Sequence, residues 1–404
     1  MNDDTLKIDP LRVLTPQEEG PSPEEGRFAR FNLISWWEQE RLARAKVLVI
    51  GAGALGNELL KNLALLGVGH VIIADMDRIE LSNLSRSVLY RAEDCGRYKA
   101  EVAAERAREL YPEMTVRPLC INVVHGLGLG AYRWADVILG GLDNREARVA
   151  MNRAAARCGK VWIDGAIERL AGVARVFDPS TGPCYECTMN ATDWKMLEAR
   201  RSCALLSRDE MEHGKVPTTP TTASVIAAIQ CQEAVKLLHG METLAGGGYV
   251  FEGFQHQSHS VRYTRKPDCE SHEADEPLVV LDDQRVSQTH VGDFLQRVRS
   301  DLGEGAVIEL NHDILISLRC VACNETEPIG TTLGLVTEGK GRCAKCGEIR
   351  VPEITHTIDA GSPYLDRTLA EIGVPPWDVI AGRDGLEQIF YEFAGDRQEV
   401  LGTF

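Results

Sequence analysis

The stretch that decides the fold is residues 46–56, "KVLVIGAGALG". A lysine followed by four apolar residues reads as a buried strand. The glycines after it, Gly51, Gly53 and Gly56, stand in G-x-G-x-x-G spacing. Glycine lets the backbone come close to a phosphate, and a helix opening here offers N–H donors and the positive end of its dipole. Leu55, Leu59, Leu63 and Leu66 line one face of that helix, which is expected to end at Gly67. "HVIIAD" is the next strand, and Asp75 ends it where a carboxylate would bind a ribose hydroxyl. Taken alone, this pattern says nucleotide or dinucleotide; a glycine-rich turn without a ligand is the plain alternative.

Working outward, the strand–helix alternation repeats through "KAEVAAERARELYP", "TVRPLC", "ADVILGGLD", "REARVAMNRAAARCG" and "KVWIDGA". This predicts an α/β unit with a largely parallel sheet. A long helix, "TASVIAAIQCQEAVKLLHG", and two strand-like runs, "GYVFEGF" and "SVRYTR", follow. Three regions are expected. Residues 1–26 are an acidic, proline-bearing arm; residues 27–275 form the Rossmann-like unit; residues 276–404 form a C-terminal α+β unit with a zinc ribbon at about 318–350. "KPDCESHEADEP" is polar enough to be the linker between the last two. In the C-terminal unit "PLVVL", "AVIEL" and "ILISL" read as strands and "VGDFLQRVRSDL" as a helix.

Composition narrows the classes. A formal charge of −16 argues against broad nucleic-acid binding and suits a partner with basic patches. No apolar run approaches the roughly 20 residues that span a bilayer. The opening "MNDDTLKIDP" lacks a secretory pattern, so a cytoplasmic location is expected. The 12 cysteines, many in C-x-x-C pairs, read as zinc ligands plus a reactive thiol in a reducing compartment.

After Asp75 the chain runs "DMDRIELSNLSRSVLYRAEDCGRYKAE", which holds Asp77, Asn83, Arg86 and Lys99. A dehydrogenase needs little cationic charge near its cofactor. An enzyme joining a carboxylate to ATP brings two anions together, and needs cationic side chains and Mg²⁺ to offset their repulsion. Asp143, in "GGLDNREAR", ends a strand where a carboxylate can hold that metal. Each of these singly is an ordinary surface charge; their order is the signal.

Cys320-x-x-Cys323 and Cys343-x-x-Cys346 have zinc-ribbon spacing and close a tetrahedron unaided. Cys184-x-x-Cys187 is half a site and needs two further ligands, with Cys320 and Cys323 as one possible source. Cys203 follows Arg200 and Arg201, cations that favour the nucleophilic thiolate; a buried thiol is the bland alternative. Cys231 reads as core, and Cys95, Cys120 and Cys158 as packing.

On "RFAR", "GAGALG", "DMDRIELSNLSR", "GRYKAE", "LDNREAR", "PCYEC" and "KPDCESH", residues 27–275 resemble the ThiF/MoeB superfamily. That superfamily includes the activating enzymes of ubiquitin and ubiquitin-like proteins. The resemblance implies an adenylyltransferase acting on the C-terminal glycine carboxylate of a small β-grasp protein. It puts Asp75 on the ribose of ATP, Asn83, Arg86 and Lys99 around the phosphates, and Asp143 on Mg²⁺. It also brings Arg30 from the other protomer of a homodimer. It completes the Cys184–Cys187 half-site with a second C-x-x-C, in whose place this chain has Cys269 and His272; histidine is also a zinc ligand, so two structural zinc ions are expected. Cys203 then falls where the family's thioester cysteine lies, ready to pass the partner to a conjugating enzyme. The sequence departs from the pattern at Phe31 and Ser87, where the family carries glutamine. Alternatives are a sulfur-carrier adenylyltransferase of thiamine or molybdopterin type, an inactive scaffold subunit, and an NAD-dependent dehydrogenase. The closing segment, "RTLAEIGVPPWDVIAG" with "QIFYEFAG", faintly resembles a β-grasp module of the kind that recruits conjugating enzymes; a packing domain is its alternative.

Overall fold

The computed structural model describes residues 26–180, 182–202, 217–269, 271–272, 275–332, 336 and 338–402. The first part runs α1 (Gln39–Arg44), β1 (Lys46–Ile50), α2 (Ala54–Leu66), β2 (His70–Ala74), α3 (Lys99–Leu110), β3 (Thr115–Leu119), α4 (Leu129–Trp134), β4 (Val137–Gly140) and α5 (Arg145–Arg157). It continues through β5 (Trp162–Glu168), β6 (Ala171–Phe177), α6 (Tyr185–Thr188), α7 (Ala191–Ser202), α8 (Pro220–Leu238), β7 (Gly247–Glu252) and β8 (Gln257–Arg262). The eight strands form one sheet in the order β3-β2-β1-β4-β5-β6-β7-β8. The β3–β2, β2–β1, β1–β4 and β4–β5 pairings are parallel, and the last three are antiparallel. The predicted largely parallel sheet is present.

Parallel strands need helical crossovers, so β1, β2 and β4 at the middle of the sheet are covered on both faces and apolar almost throughout, whereas the edge strand β8 is polar and exposed. Val47 and Val49 face a core with α2, α3 and α8, while Leu48 and Ile50 face a second core holding Tyr132, Val149, Met151 and Trp162. Leu55, Leu59 and Leu63 are buried on α2 as their spacing predicts. Gly67 ends the helix in the left-handed region (φ +76°), with the Gly67 and Val68 N–H groups returning to the Ala64 and Leu63 carbonyls. After β3 the chain crosses back to lay β4 beside β1. The C-terminal ends of β1, β2 and β4 therefore share the edge where such sheets bind ligands.

The C-terminal part contains β9 (Leu278–Val280), α9 (Val291–Leu302), β10 (Val307–Cys320), β11 (Thr326–Thr332), β12 (Arg350–Ile358), β13 (Val379–Asp384), β14 (Glu387–Glu392) and α10 (Arg397–Leu401). Its sheet runs β11-β10-β13-β14-β9, with β12 on the other side of β10. The two strands expected at "AVIEL" and "ILISL" are a single 14-residue strand, β10. No glycine or proline interrupts the intervening "NHD", and shifts of register absorb the irregularity.

This second sheet also packs against the first part. Along β13, Val379 and Ala381 point into the core that holds Leu48 and Ile50, while Ile380 joins Phe294, Val298 and Tyr391. Trp377 is buried against α4: a Cβ on Gly130 would lie 2.3 Å from its indole ring. A polar chain runs beside it. Arg157 donates to Asp275 and to Asn311, both at 2.7 Å. Asn311 donates to Asp378 at 2.8 Å, and Asp378 accepts the Leu129 N–H at 3.0 Å. Asp275, near the end of the segment read as a polar linker, is thus docked, and it is buried as the counterion of Arg157.

Candidate functional site

The glycine loop between β1 and α2 divides its roles. Gly51 has φ +96°, and a Cβ there would meet the Gly141 carbonyl oxygen at 2.5 Å. A Cβ on Gly56 would lie 1.9 Å from the Gly51 carbonyl oxygen. These two glycines let loop, helix and the end of β4 pack together. A Cβ on Gly53 meets nothing within 4 Å, so its bareness keeps open space at the N-terminus of α2, where no side chain caps the helix. Loop carbonyls are tied inward: the Asn57 amide donates to Ala52 (2.8 Å) and Gly53 (3.0 Å), and the Tyr90 hydroxyl donates to Ala52 (2.6 Å). With the Gly51 N–H on the Ala74 carbonyl and the Ala52 N–H on Asp75, the N–H groups of the first turn of α2 are the ones left for an anion.

The predicted residues are placed as follows. Asp75 accepts the N–H groups of Ala52 and Asp77, both at 2.7 Å. Burial pushes its carboxyl up, opposed by Lys99 and by the Ala52 N–H. Lys99, the first residue of α3, pairs with Asp77 at 2.8 Å. Asn83 lies on a short helical segment between them, Leu81–Ser85, and Arg86 directly follows it; Asn83 accepts the Glu80 N–H (3.0 Å) and Arg86 donates to the Ser82 carbonyl (2.9 Å). Asp143 is exposed beyond β4, and Asn144 caps α5 through the Ala147 N–H at 2.8 Å. The close approach of Gly141 to Gly51 and Gly56 sets this corner beside the loop. Ser87 is buried, and Phe31 stacks on Phe28 (5.9 Å between centroids). Arg30 is exposed, and among the described residues no hydrogen bond or ion pair joins it to the others. Cys203 lies outside the described residues; α7, which ends directly before it, is anchored near its start by an Asp193–Arg145 ion pair of 3.0 Å.

Sequence reasoning missed the polar supports of this site: Asn57, Tyr90, Arg148, Asp164 and Arg175. Asn57, directly after Gly56, and Arg148, at the end of "LDNREAR", sit inside motifs that were in view. Nothing local marks Asp164 or Arg175, which meet only across the β5–β6 pair.

The candidate metal-ligand sets are separate in space. Cys184, Cys187, Cys269 and His272 form one cluster, and Cys320, Cys323, Cys343 and Cys346 another, each with ligand atoms within 4.8 Å of one another. Cys320 and Cys323 thus belong to the ribbon and not to the Cys184 half-site. A tetrahedron with zinc–sulfur bonds of about 2.3 Å has S···S edges near 3.8 Å. The observed Sγ···Sγ separations are 3.8 Å (Cys184–Cys187), 3.5 Å (Cys184–Cys269), 3.4 Å (Cys320–Cys346) and 3.6 Å (Cys323–Cys343), and Cys187 lies 3.3 Å from His272 Nε2. These spacings fit a zinc-sized cation and are far too long for disulfides. Burial holds His272 below its ordinary value, towards the neutral imidazole that ligates. N–H groups of Cys346 and Lys345 bring the Cys343 thiol down to about 6. Of the remaining thiols, Cys231 is buried as expected and pushed up to about 12 by that burial. Cys95, read as packing, is instead exposed, because it lies in the surface turn that Gly96 closes with φ +88°.

Comparison with known proteins bears on the family and the fold. The profile of the ThiF family matches residues 26–271. The Sulfur carrier protein adenylyltransferase of Thermus thermophilus is 35% identical over 237 residues, which is 57% of this chain and 83% of that protein. The SAMP-activating enzyme E1 of Haloferax volcanii is 33% identical over 242 residues, 57% of this chain and 81% of its own. Among solved structures, E. coli MccB with ATP aligns over 63% of this chain and 76% of its own, with 23% identity and a TM-score of 0.51, a likeness of fold. The glycine loop, the charged residues ordered around it and the match over residues 26–271 have one conclusion: this chain belongs to the ThiF family, and its enzyme class is adenylyltransferase.

Proposed function

We propose that this chain uses ATP to adenylate the C-terminal glycine carboxylate of a ubiquitin-like β-grasp protein. The observation that carries this reading is the convergence of the glycine loop, Asp75, Asp77, Lys99 and Asp143 at the C-terminal edge of β1, β2 and β4. Asp75 would take the ribose, while Arg86, Asn83 and Lys99 would surround the phosphates. Asp143 would hold Mg²⁺, which when bound neutralises phosphate charge. The partner's carboxylate oxygen attacks the α-phosphorus; the bond to the β-phosphate oxygen breaks, and pyrophosphate leaves. Arg30 would act from the partner protomer of a homodimer. Supporting that assembly, Leu33 (68% exposed), Ile34 and Trp36 leave an apolar patch directly after it.

The decisive experiment is ATP–pyrophosphate exchange with candidate β-grasp proteins ending in glycine. Asp143→Ala should abolish Mg²⁺-dependent exchange with an unchanged circular-dichroism spectrum; full exchange in that variant removes Asp143 from the chemistry.

Two continuations are carried by the named relatives. In the first, supported by the activating enzyme of Haloferax volcanii, Cys203 thiolate attacks the acyl carbon and AMP leaves. The resulting thioester passes to a conjugating enzyme. In the second, supported by the Thermus thermophilus adenylyltransferase, a sulfide-level sulfur donor attacks the acyl carbon of the adenylate, the bond to the phosphate oxygen breaks, AMP leaves, and the product is a thiocarboxylate. In both, the two cysteine-containing clusters hold structural zinc.

A further inference from the structure

Asp143 has little of its own to orient it. It is exposed, and among the described residues its one side-chain hydrogen bond comes from the Asn144 amide at 3.3 Å. Its position is set by what grips the chain on either side. On one side Asn144 caps α5. On the other, the Arg148 guanidinium reaches back from the first turn of α5 and donates to the carbonyl of Leu142, the residue immediately before Asp143. Arg148 also donates to the Gly165 carbonyl at 3.1 Å and, through Nε, to Asp164 Oδ1 at 2.9 Å. Asp164 has no exposed surface, and its other oxygen is taken by Arg175 (Nε at 3.0 Å). One planar fork thus ties β5 to the loop that presents Asp143, an arrangement a lysine's single ammonium cannot reproduce.

We infer that Arg148, locked by Asp164, is the positioning residue that aims Asp143 at the nucleotide-bound Mg²⁺. This rests on the reading of Asp143 given above. Arg175 binds the same carboxylate without a hydrogen bond to the 141–144 loop among the described residues, so it serves as the control for mere structural loss.

The test uses the full chain, with ATP and MgCl₂ as probes. Calorimetric ATP binding is measured across a Mg²⁺ titration for wild type, Arg148→Lys, Arg175→Lys and Asp143→Asn, with urea midpoints recorded alongside. Arg148→Lys should raise the Mg²⁺ concentration for half-maximal ATP binding about 10- to 100-fold, the usual cost of losing an outer-sphere orienting group. Arg175→Lys should shift it by less than about twofold at a comparable loss of midpoint. Equal shifts in the two variants would make the role structural and overturn the inference. An unshifted Arg148→Lys beside an impaired Asp143→Asn overturns the inference and leaves the reading of Asp143 intact. If Asp143→Asn itself binds Mg²⁺ and ATP like wild type, that reading falls and the inference with it. Should Arg148→Lys not fold, Asp164→Glu, which displaces the guanidinium by one methylene, is judged by the same criteria.

Discussion

Asp164 is a carboxylate with no solvent contact, held between Arg148 and Arg175. Burial by itself would push its carboxyl up, but the two guanidiniums outweigh burial and hold it below the ordinary range. The sign follows directly. A depressed folded value means the stabilisation is complete above the unfolded value of about 3.9 and is lost as pH falls through the folded one. Asp164→Asn should therefore cost about 3–5 kcal/mol at pH 7, because two buried cations lose their counterion. That cost should be unchanged at pH 5 and shrink below about pH 4, where the unfolded wild-type chain takes up a proton that the folded carboxylate still excludes. Urea unfolding between pH 3 and 7 reads the difference, and a gap that stays constant throughout would refute the assignment. Cys203 is the other single residue on which function turns. Cys203→Ala should keep pyrophosphate exchange yet form no reductant-sensitive adduct with the partner, since a thiolate attacking the finished adenylate is not needed to make it. An adduct persisting in Cys203→Ala favours the sulfur-carrier continuation.

Among the elements, the Cys184–Cys187 knuckle is bound to the nucleotide half of the fold through its intervening residue. Glu186 is buried and accepts from Arg153 (2.9 and 3.0 Å) and from the Ser271 hydroxyl (2.6 Å). Arg153 lies on α5, the helix that starts at the Asp143 corner, so knuckle, second ligand pair and helix are one packed unit. Elemental analysis should find two zinc ions per chain. His272→Ala should retain one, with a clear fall in thermal midpoint, because a structural site contributes its binding energy to folding. Two zinc ions in His272→Ala, or one in wild type, would contradict the assignment of ligands. The ribbon was legible from its spacing alone, whereas the 184–272 site needed a resemblance to pair segments some 80 residues apart.

On the scale of the molecule, the C-terminal sheet closes over α4 and α5, and the N-terminal segment packs Phe28 and Trp37 on the core but leaves Leu33, Ile34 and Trp36 outside. A second copy of the chain is the proposed cover, and it would carry Arg30 into the neighbouring site. If so, mixing inactive Arg30→Ala with inactive Asp143→Ala should recover exchange by assembling one intact site per mixed dimer. Absence of recovery, with subunit exchange demonstrated by mass, would count against action in trans.

The sequence by itself determined the parallel sheet, the glycine loop and the end of α2 at Gly67. It also determined the order of charged residues along the loop edge and the ribbon. Each of these is written in local periodicity or in fixed short spacing, where neighbouring residues must meet whatever the rest of the chain does. Tertiary structure alone decided that "AVIEL" and "ILISL" are one strand, that the polar segment around Asp275 is docked on Arg157, and that Trp377 fills the space at Gly130. It alone brought Arg148, Asp164 and Arg175 together. Burying a charge is tolerated only where its counterion arrives from another element, so such a group looks like any surface charge until the fold supplies its partner.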